Sequence, residues 1–216
     1  MKLPKIAAAA ALLFSLVASP VQAQAQQSCA AHYLIAVPGG GNTAEGIPDY
    51  VPHGGNVFMT GMLTRLGTGG EIQPLWVSYT STPFATSEYE KSKAGGLKRA
   101  RSTVKRLANA CPSAKFSFTG YSLGADIAAT ITSDIAAGRG PIEPERVSGV
   151  ALFANPHQGG NGAVLSAGTS PHSRGSLGSL PDGYGVLGPR VLEICRGDDL
   201  VCSMQESHRG LVAPAM

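Results

Sequence analysis

The feature that constrains this chain most is a Gly-x-Ser-x-Gly segment set between a β-prone run and an apolar helical run. Residues 120–124 read Gly-Tyr-Ser-Leu-Gly; Phe116 and Phe118 precede them, and an Ala- and Ile-rich run over residues 125–137 follows. This pattern predicts a sharp strand-to-helix turn. Gly120 and Gly124 fit that turn because side chains there would collide with the neighbouring strand and helix.

The predicted turn also gives Ser122 a chemical role. It holds the serine hydroxyl exposed in a strained backbone conformation, and a helix begins directly after it. The N-terminus of a helix presents free N–H groups and a partial positive charge, which can stabilise an oxyanion. We therefore interpret Ser122 as a catalytic nucleophile rather than as part of a structural turn. The backbone N–H of Leu123 is then the first oxyanion donor.

The first 25 residues have the parts of an export signal. Lys2 and Lys5 precede an apolar run over residues 6–17, and small residues at Ala23 and Ala25 offer a cleavage site. The run is shorter than the ~20 residues that a membrane span needs. We expect residues 1–25 to be a signal peptide, with an uncleaved N-terminal anchor as the alternative. Residues 26–216 have a length that suits one domain with a sizeable core.

Charge and cysteine content narrow the function classes. The chain has 17 Lys+Arg and 14 Asp+Glu, a small imbalance that does not indicate nucleic acid binding. Four cysteines follow the predicted signal, and an even count in an exported chain suggests two disulfides, with three possible connectivities. No Cys-x-x-Cys pair occurs and the histidines are scattered, so we expect no metal and no other cofactor. The locally basic residues 91–106 are interpreted as a solvated helix face.

Short apolar runs alternate with helical patterns along the rest of the chain. Buried strands are predicted at residues 31–37, 72–79, 147–153 and 191–194. One helix is predicted over residues 56–66, with Val57, Met59, Leu63 and Leu66 in the core, and another over residues 88–110. Residues 157–188 are rich in Gly, Ser and Pro and are predicted to form a long loop. The alternation indicates an α/β fold with a mainly parallel sheet.

A serine nucleophile needs a base and a group that orients the base. His208 is the only histidine after the last predicted strand, and Asp199 lies in the short segment between Cys195 and Cys202. We predict Ser122 as nucleophile, His208 as general base and then acid, and Asp199 as the orienting carboxylate.

Two further polar residues bear on the predicted chemistry. His157 follows a predicted strand and is the alternative base. Asp126, two residues after the turn, is expected to face away from the site or to satisfy the first turn of its helix.

These residues resemble the cutinase family of serine esterases, in the style of the exported actinobacterial cutinase-like hydrolases. Gly-Tyr-Ser-Leu-Gly is similar to the family's Gly-Tyr-Ser-Gln-Gly. The family's acid sits four residues after a cysteine, and the position that matches is Asp199 rather than Asp198. Pro38, Gly39 and Gly40 resemble the family's oxyanion loop. The resemblance covers roughly residues 33–202.

The resemblance implies a small, doubly wound sheet flanked by helices, with a shallow site that has no large lid. It also implies the disulfide pairs Cys29–Cys111 and Cys195–Cys202. The second oxyanion donor should come from the loop over residues 38–43, where Gly40 is the first choice and Asn42 the other. A phosphate-binding loop is the competing interpretation of these glycines, but the Lys-Ser/Thr ending of a P-loop is absent.

The resemblance implies hydrolysis of carboxylic esters. With the predicted signal peptide, we expect a secreted monomer that acts on lipid esters or cutin-like polyesters, either free outside the cell or associated with the envelope. An acyltransferase, phospholipase or thioesterase using the same serine is one alternative. A non-catalytic exported interaction protein on a degenerate hydrolase fold is another. Two departures from the family favour it: Leu123 replaces the usual glutamine, and His208 follows Cys202 by only six residues.

Overall fold

The computed structural model describes residues 29–82 and 86–204, which form a six-stranded sheet with helices packed on it. The strands are β1 (His32–Val37), β2 (Ile72–Trp76), β3 (Lys115–Tyr121), β4 (Val147–Phe153), β5 (Val164–Leu165) and β6 (Val191–Ile194). Every pair is parallel, and the strand order is β2-β1-β3-β4-β6-β5. The predicted α/β class with a parallel sheet is confirmed.

The strand order reverses beside β1. Helix α1 (Asn56–Gly67) connects β1 to β2 on one side, α2 (Thr86–Ala110) returns the chain to β3 on the other side of β1, and α3 (Leu123–Ala136) leads on to β4. Such a reversal leaves a crevice beyond the carboxyl ends of the two strands at which it occurs, here β1 and β3. The doubly wound topology is therefore confirmed, and the predicted nucleophile lies at this crevice.

Alternate residues of β1 enter two different cores. Ile35 and Val37 belong to the large core that the sheet forms with α2 and α3. Ala36, on the opposite face, packs with Val57 of α1 and with Trp76. Since successive strand residues point to opposite faces, α1 covers one face of the sheet and the α2–α3 pair covers the other.

Helix α1 faces the sheet through only one of the four predicted core positions, Val57, which is fully buried. The predicted core positions Met59, Leu63 and Leu66 are wrong, because their side chains are 52%, 62% and 73% exposed. Gly61 is buried instead, and a Cβ there would lie only 2.5 Å from the indole ring of Trp76. This close approach of α1 to Trp76 turns the larger apolar side chains of the helix toward solvent.

The predicted disulfide pairing is confirmed. Cys29–Cys111 joins the segment before β1 to the residue after α2, and Cys195–Cys202 closes the loop after β6. The long loop between β4 and β6 contains the short strand β5 and a 3-10 helix at Gly185–Arg190. Within residues 29–82 and 86–204, no helix combines the length and apolar character that crossing a bilayer requires.

Candidate active site

Ser122 occupies a strained turn between β3 and α3. Its backbone angles are φ 54° and ψ −120°, and it is the residue at the N-cap of α3. A non-glycine residue in such a sparsely populated region costs about 1–3 kcal/mol and persists only where its surroundings hold it there. The Ser122 N–H donates to the carbonyl of Phe153 at 2.9 Å, and its carbonyl accepts from the N–H of Ala125 at 2.9 Å. Strand β4 and the first turn of α3 therefore hold the strained serine.

The two glycines of the turn are required by close backbone contacts. A Cβ on Gly120 would lie 2.2 Å from the carbonyl oxygen of Gly124, and a Cβ on Gly124 would lie 2.1 Å from that of Val37. Neither space can hold a methyl group, so α3 begins directly against the ends of β1 and β3. The sequence prediction for these glycines is confirmed.

The loop over residues 38–43 reaches the serine at Gly39. A Cβ on Gly39 would lie 2.8 Å from the carbonyl oxygen of Tyr121 and 3.5 Å from Cβ of Ser122. The N–H of Gly40 has no hydrogen-bond partner in the part of the chain that the structure describes. The side-chain amide of Asn42, in contrast, already donates to the Gly40 carbonyl at 3.1 Å. This geometry favours Gly40 over Asn42 as the candidate second oxyanion donor.

The segment after β2 holds this loop in place. The Tyr79 hydroxyl donates to the Pro38 carbonyl at 2.5 Å, and the Ser81 hydroxyl donates to the Thr43 carbonyl at 2.7 Å. The Ser81 carbonyl accepts from the N–H of Gly41 at 2.8 Å. Burial raises the pKa of Tyr79 well above its ordinary value, so its hydroxyl remains a donor. Sequence reasoning missed both residues, since a tyrosine and a serine after a strand carry no distinctive signal.

The loop that carries Asp199 lies beside the nucleophile turn. Cys195, Cys202 and Ala154 form a small buried cluster, and Tyr121, the residue before the serine, packs against it. The disulfide between the two cysteines thus places the Asp199 loop against the end of β3.

Asp199 and Asp198 differ in what their carboxylates contact. Asp199 is half-buried, and its Oδ1 accepts from the N–H of Val201 at 2.8 Å. Its Oδ2 has no partner among the described residues. Asp198 forms an exposed ion pair with Arg196 at 2.7 Å, and the hydrogen bond from Arg196 lowers the pKa of Asp198. Asp199 therefore has an oxygen available to orient an imidazole, whereas Asp198 is turned to the surface.

The structure describes only one of the two candidate bases, His157. His208 lies outside the described residues, so the triad of Ser122, His208 and Asp199 stays a prediction. His157 has only one ring nitrogen in a hydrogen bond: Nδ1 lies 2.8 Å from the Gly178 carbonyl, whereas the buried Nε2 makes no hydrogen bond and lies 3.3 Å from Oδ1 of Asp126. Among the described residues, no hydrogen bond joins either nitrogen of His157 to Ser122.

Asp126 lies in a buried charge cluster instead of satisfying the first turn of α3. Its carboxylate is fully buried, and Lys93 Nζ approaches Oδ1 at 2.7 Å while the Tyr89 hydroxyl donates to Oδ2 at 2.7 Å. Burial alone raises the pKa of Asp126, but the neighbouring His157 and the ammonium of Lys93 outweigh it and hold the pKa below its ordinary value. The side chain of Lys93 is only 19% exposed, so the prediction of a solvated face is wrong at this residue.

A second buried carboxylate, that of Glu193 in β6, organises the loop after β4. Its Oε1 accepts from the Asn155 amide and the Tyr184 hydroxyl, both at 3.1 Å, and its Oε2 accepts from the N–H of Gly159 at 2.9 Å. Burial raises the pKa of Glu193 above its ordinary value. This network fixes the loop on which His157 lies.

Among the described residues, no three His, Cys, Asp or Glu side chains come together to hold a metal ion.

The arrangement has the parts that acyl transfer requires. Ser122 lies at a helix N-terminus, where the N–H of Leu123 has no acceptor within the helix. Gly40 offers a second N–H next to Gly39, where the loop reaches the serine, and Asp199 offers a carboxylate oxygen on the neighbouring loop. Together these groups can bind an oxyanion and orient a base.

Comparison with known proteins gives relatives of the same kind. The family model described as Cutinase matches residues 42–211. "Probable carboxylesterase Culp7" of Mycobacterium tuberculosis is 29% identical over 133 residues, which cover 56% of this chain and 64% of that protein. "Carboxylesterase Culp1" of Mycobacterium bovis is 26% identical over 164 residues, which cover 76% of this chain and 65% of that protein. The chain thus spans slightly less than two thirds of the length of these relatives.

Solved structures agree on the fold. The catalytic core domain of acetyl xylan esterase from Trichoderma reesei superposes with a TM-score of 0.62 at 14% identity, covering 86% of this chain and 95% of that one. At this identity the likeness concerns the fold alone. The family match extends over well more than half of the residues and includes the nucleophile turn, the second disulfide and Asp199. The chain belongs to the cutinase family.

Proposed function

We propose that the protein is an exported serine esterase that hydrolyses carboxylic esters, with lipid esters or cutin-like polyesters as its substrates. The observation that carries the proposal is the backbone of Ser122. A positive φ at a serine is costly, and this one is held between β4 and the first turn of α3, where two glycines allow the close packing. Such strain is typical of a nucleophile presented at a helix N-terminus.

In the proposed acylation step, Ser122 Oγ attacks the ester carbonyl carbon while His208 takes the hydroxyl proton. The N–H groups of Leu123 and Gly40 hold the resulting oxyanion, and Asp199 orients the imidazole and stabilises its positive charge. The bond from carbon to the alcohol oxygen then breaks. His208 gives its proton to the leaving alcohol, and the acyl group remains on Ser122.

In the proposed deacylation step, water attacks the acyl-enzyme carbonyl and His208 takes one of its protons. The same two N–H groups hold the second oxyanion. The bond from carbon to Ser122 Oγ breaks, and the serine recovers its proton from His208. A carboxylic acid leaves, so one water is consumed for each ester.

We also propose that the protein is exported and works outside the cell as a monomer. The predicted signal peptide supports export. The two disulfides, Cys29–Cys111 and Cys195–Cys202, are compatible with an oxidising compartment.

Labelling with a fluorophosphonate tests the nucleophile and the base. The variants are Ser122→Ala and His208→Ala, with Ser102→Ala and His172→Ala as controls at exposed positions. We expect labelling to be abolished by the first change, to slow by on the order of 10³-fold or more with the second, and to persist in both controls. Unlabelled wild-type protein would favour the non-catalytic alternative. Loss with Ser122→Ala alone would keep the nucleophile and reject His208.

The neighbouring aspartates give a matched test of the orienting acid. Asp199→Asn should slow both labelling and hydrolysis of a soluble p-nitrophenyl ester, by up to about 10⁴-fold, because the base loses the carboxylate that orients it. Asp198→Asn should leave both rates at the wild-type value, since its partner Arg196 is exposed. The reverse result would transfer the role to Asp198.

A further inference from the structure

We propose that Lys93, Asp126 and His157 form a positioning cluster that fixes the nucleophile turn for catalysis. The inference rests on the proposed esterase function and adds residues to it. The backbone N–H of Asp126 donates to the carbonyl of Ser122 at 3.0 Å. Asp126, which carries the buried carboxylate, is therefore hydrogen-bonded through its backbone to the backbone of Ser122. The N–H of Leu123 belongs to the same helical turn.

The cluster joins the first turn of α3 to elements on either side of it. Lys93 belongs to α2, and its Nζ lies 2.7 Å from Oδ1 of Asp126. His157 belongs to the loop after β4, and its Nε2 lies 3.3 Å from the same oxygen. Tyr89, one turn before Lys93 on α2, donates to the other carboxylate oxygen at 2.7 Å. A displacement of this turn would disturb all of these contacts.

A glycine allows α2 to come close enough for this contact. A Cβ on Gly96 would lie 2.5 Å from Cδ1 of Ile127, the residue that follows Asp126. Lys93 and Gly96 are three residues apart and therefore share one face of α2. The close packing at Gly96 brings the ammonium of Lys93 within reach of a carboxylate that has no exposed surface.

His157 is held independently of Asp126. Its Nδ1 lies 2.8 Å from the carbonyl of Gly178, which can only accept, so Nδ1 carries a proton. Its backbone N–H donates to Oδ1 of Asn155 at 3.0 Å, and its carbonyl accepts from the Asn161 amide at 2.5 Å. The loop therefore holds Nε2, which makes no hydrogen bond, 3.3 Å from Oδ1 of Asp126, where the ring attracts the carboxylate when it is protonated.

Stability alone is a poor explanation for such a cluster. The side chains of Asp126, Lys93 and His157 are 0%, 19% and 12% exposed, so assembling them costs much of their hydration. Apolar residues of the same volume often stabilise a protein as well or better. What charged groups add is a defined geometry, and here that geometry belongs to the turn that holds Ser122.

Charge balance gives a second reason. Asp126 follows Leu123 by three residues in α3, which is about one helical turn at roughly 1.5 Å of rise per residue. Left alone, its negative charge would oppose the charge that develops on the tetrahedral oxygen. The positive charge of Lys93 offsets the negative charge of Asp126. The fixed geometry of the turn and this charge balance both act on the reacting centre rather than on substrate binding.

The α2–α3 interface contains a matched control. Arg101 of α2 pairs with Asp134 of α3, eight residues further along each helix than Lys93 and Asp126. This distal pair joins the same two helices at the end of α3 away from Ser122. The double variants Asp126→Asn/Lys93→Met and Asp134→Asn/Arg101→Met each remove one anion and one cation, so the net charge is unchanged.

The experiment compares these variants with wild-type protein well below the Tm of each. We expect Asp126→Asn/Lys93→Met to label with a fluorophosphonate about 10- to 100-fold more slowly, because small misplacement of a reacting group has effects of that size. Its kcat on a soluble p-nitrophenyl ester should fall by the same factor with KM unchanged. Asp134→Asn/Arg101→Met should keep the wild-type rates even where its Tm is lower.

Equal labelling rates for the two double variants would overturn the cluster while leaving the esterase proposal intact. Absence of labelling in wild-type protein would overturn both. If Asp126→Asn/Lys93→Met does not fold, Tyr89→Phe decides, because it removes only one hydrogen bond to Asp126. That variant should label about 2- to 5-fold more slowly, in line with loss of one hydrogen bond of modest net strength. A wild-type rate for it would overturn the cluster.

Discussion

Asp126 and Glu193 are both fully buried carboxylates near the candidate site, yet their pKa values move in opposite directions. Asp126 contacts the ammonium of Lys93, and its pKa lies below the ordinary value. Within the described part of the chain, Glu193 accepts hydrogen bonds from neutral groups, among them Asn155, Tyr184 and the backbone N–H of Gly159, and burial raises its pKa.

The difference shows that satisfying a buried carboxylate's hydrogen bonds is not the same as offsetting its lost hydration. Neutral donors around Glu193 complete its hydrogen bonding but leave the charged form disfavoured. At Asp126 the neighbouring His157 and the ammonium of Lys93 favour the charged form. The nucleophile side of the site is therefore built around ionised groups, whereas the neighbouring loop is held by a network of neutral donors.

The largest expected effect on stability comes from neutralising Asp126. Asp126→Asn should lower the free energy of unfolding by about 3–5 kcal/mol, because Lys93 is left buried without its anion. Urea denaturation at pH 7 measures it. Asp134→Asn is the control, and it should cost about 0–1 kcal/mol because the side chains of its arginine partners are 41% and 56% exposed and keep much of their hydration. Equal costs would show that burial of the pair does not matter.

A smaller effect is expected at Glu193. Glu193→Gln should lower the free energy of unfolding by about 1–3 kcal/mol, because an amide group cannot accept every hydrogen bond that the carboxylate accepts. The same urea denaturation measures it. A cost above that of Asp126→Asn would contradict the distinction between charged and neutral surroundings.

The smallest effects are the pH dependences, and their signs should be opposite. The pKa of Asp126 is depressed from 3.8 on folding, so its contribution is present above about pH 4 and is lost as the pH falls through the folded value. The pKa of Glu193 is raised from 4.5, so its contribution is complete below about pH 4.5 and is lost as the pH rises through the folded value.

Urea denaturation of wild type and both variants from about pH 2 to 8 measures these slopes. The stability difference between wild type and Asp126→Asn should shrink toward acid, and that between wild type and Glu193→Gln should shrink toward alkali. Slopes of the same sign would mean that the two carboxylates share one kind of environment.

Features with a local signal were predictable from the sequence. The glycines around Ser122 indicated the turn, and the alternation of apolar runs indicated the parallel sheet. Asp126 and Lys93 were misjudged because their meeting depends on where α2 crosses α3, which no local pattern specifies. Tyr89, Lys93 and Gly96 do share one face of α2, and that spacing was the available signal.

Helix α1 illustrates the same limit. Periodicity gives the spacing of apolar residues around a helix, but it does not say which of them face the sheet. The face that α1 turns to the sheet depends on the ring of Trp76 in β2, because Gly61 packs closely against that ring. Met59, Leu63 and Leu66 consequently point outward.

The two disulfides restrict the unfolded chain to very different extents. Cys29–Cys111 closes a loop with a sequence separation of 82, whereas Cys195–Cys202 closes one of only 7. By loop-closure entropy the longer link is worth about 4.5 kcal/mol and the shorter about 2.4 kcal/mol. The long link therefore stabilises the fold as a whole, and a reducing environment would remove that support, while the short link mainly limits the conformations open to the segment that carries Asp199.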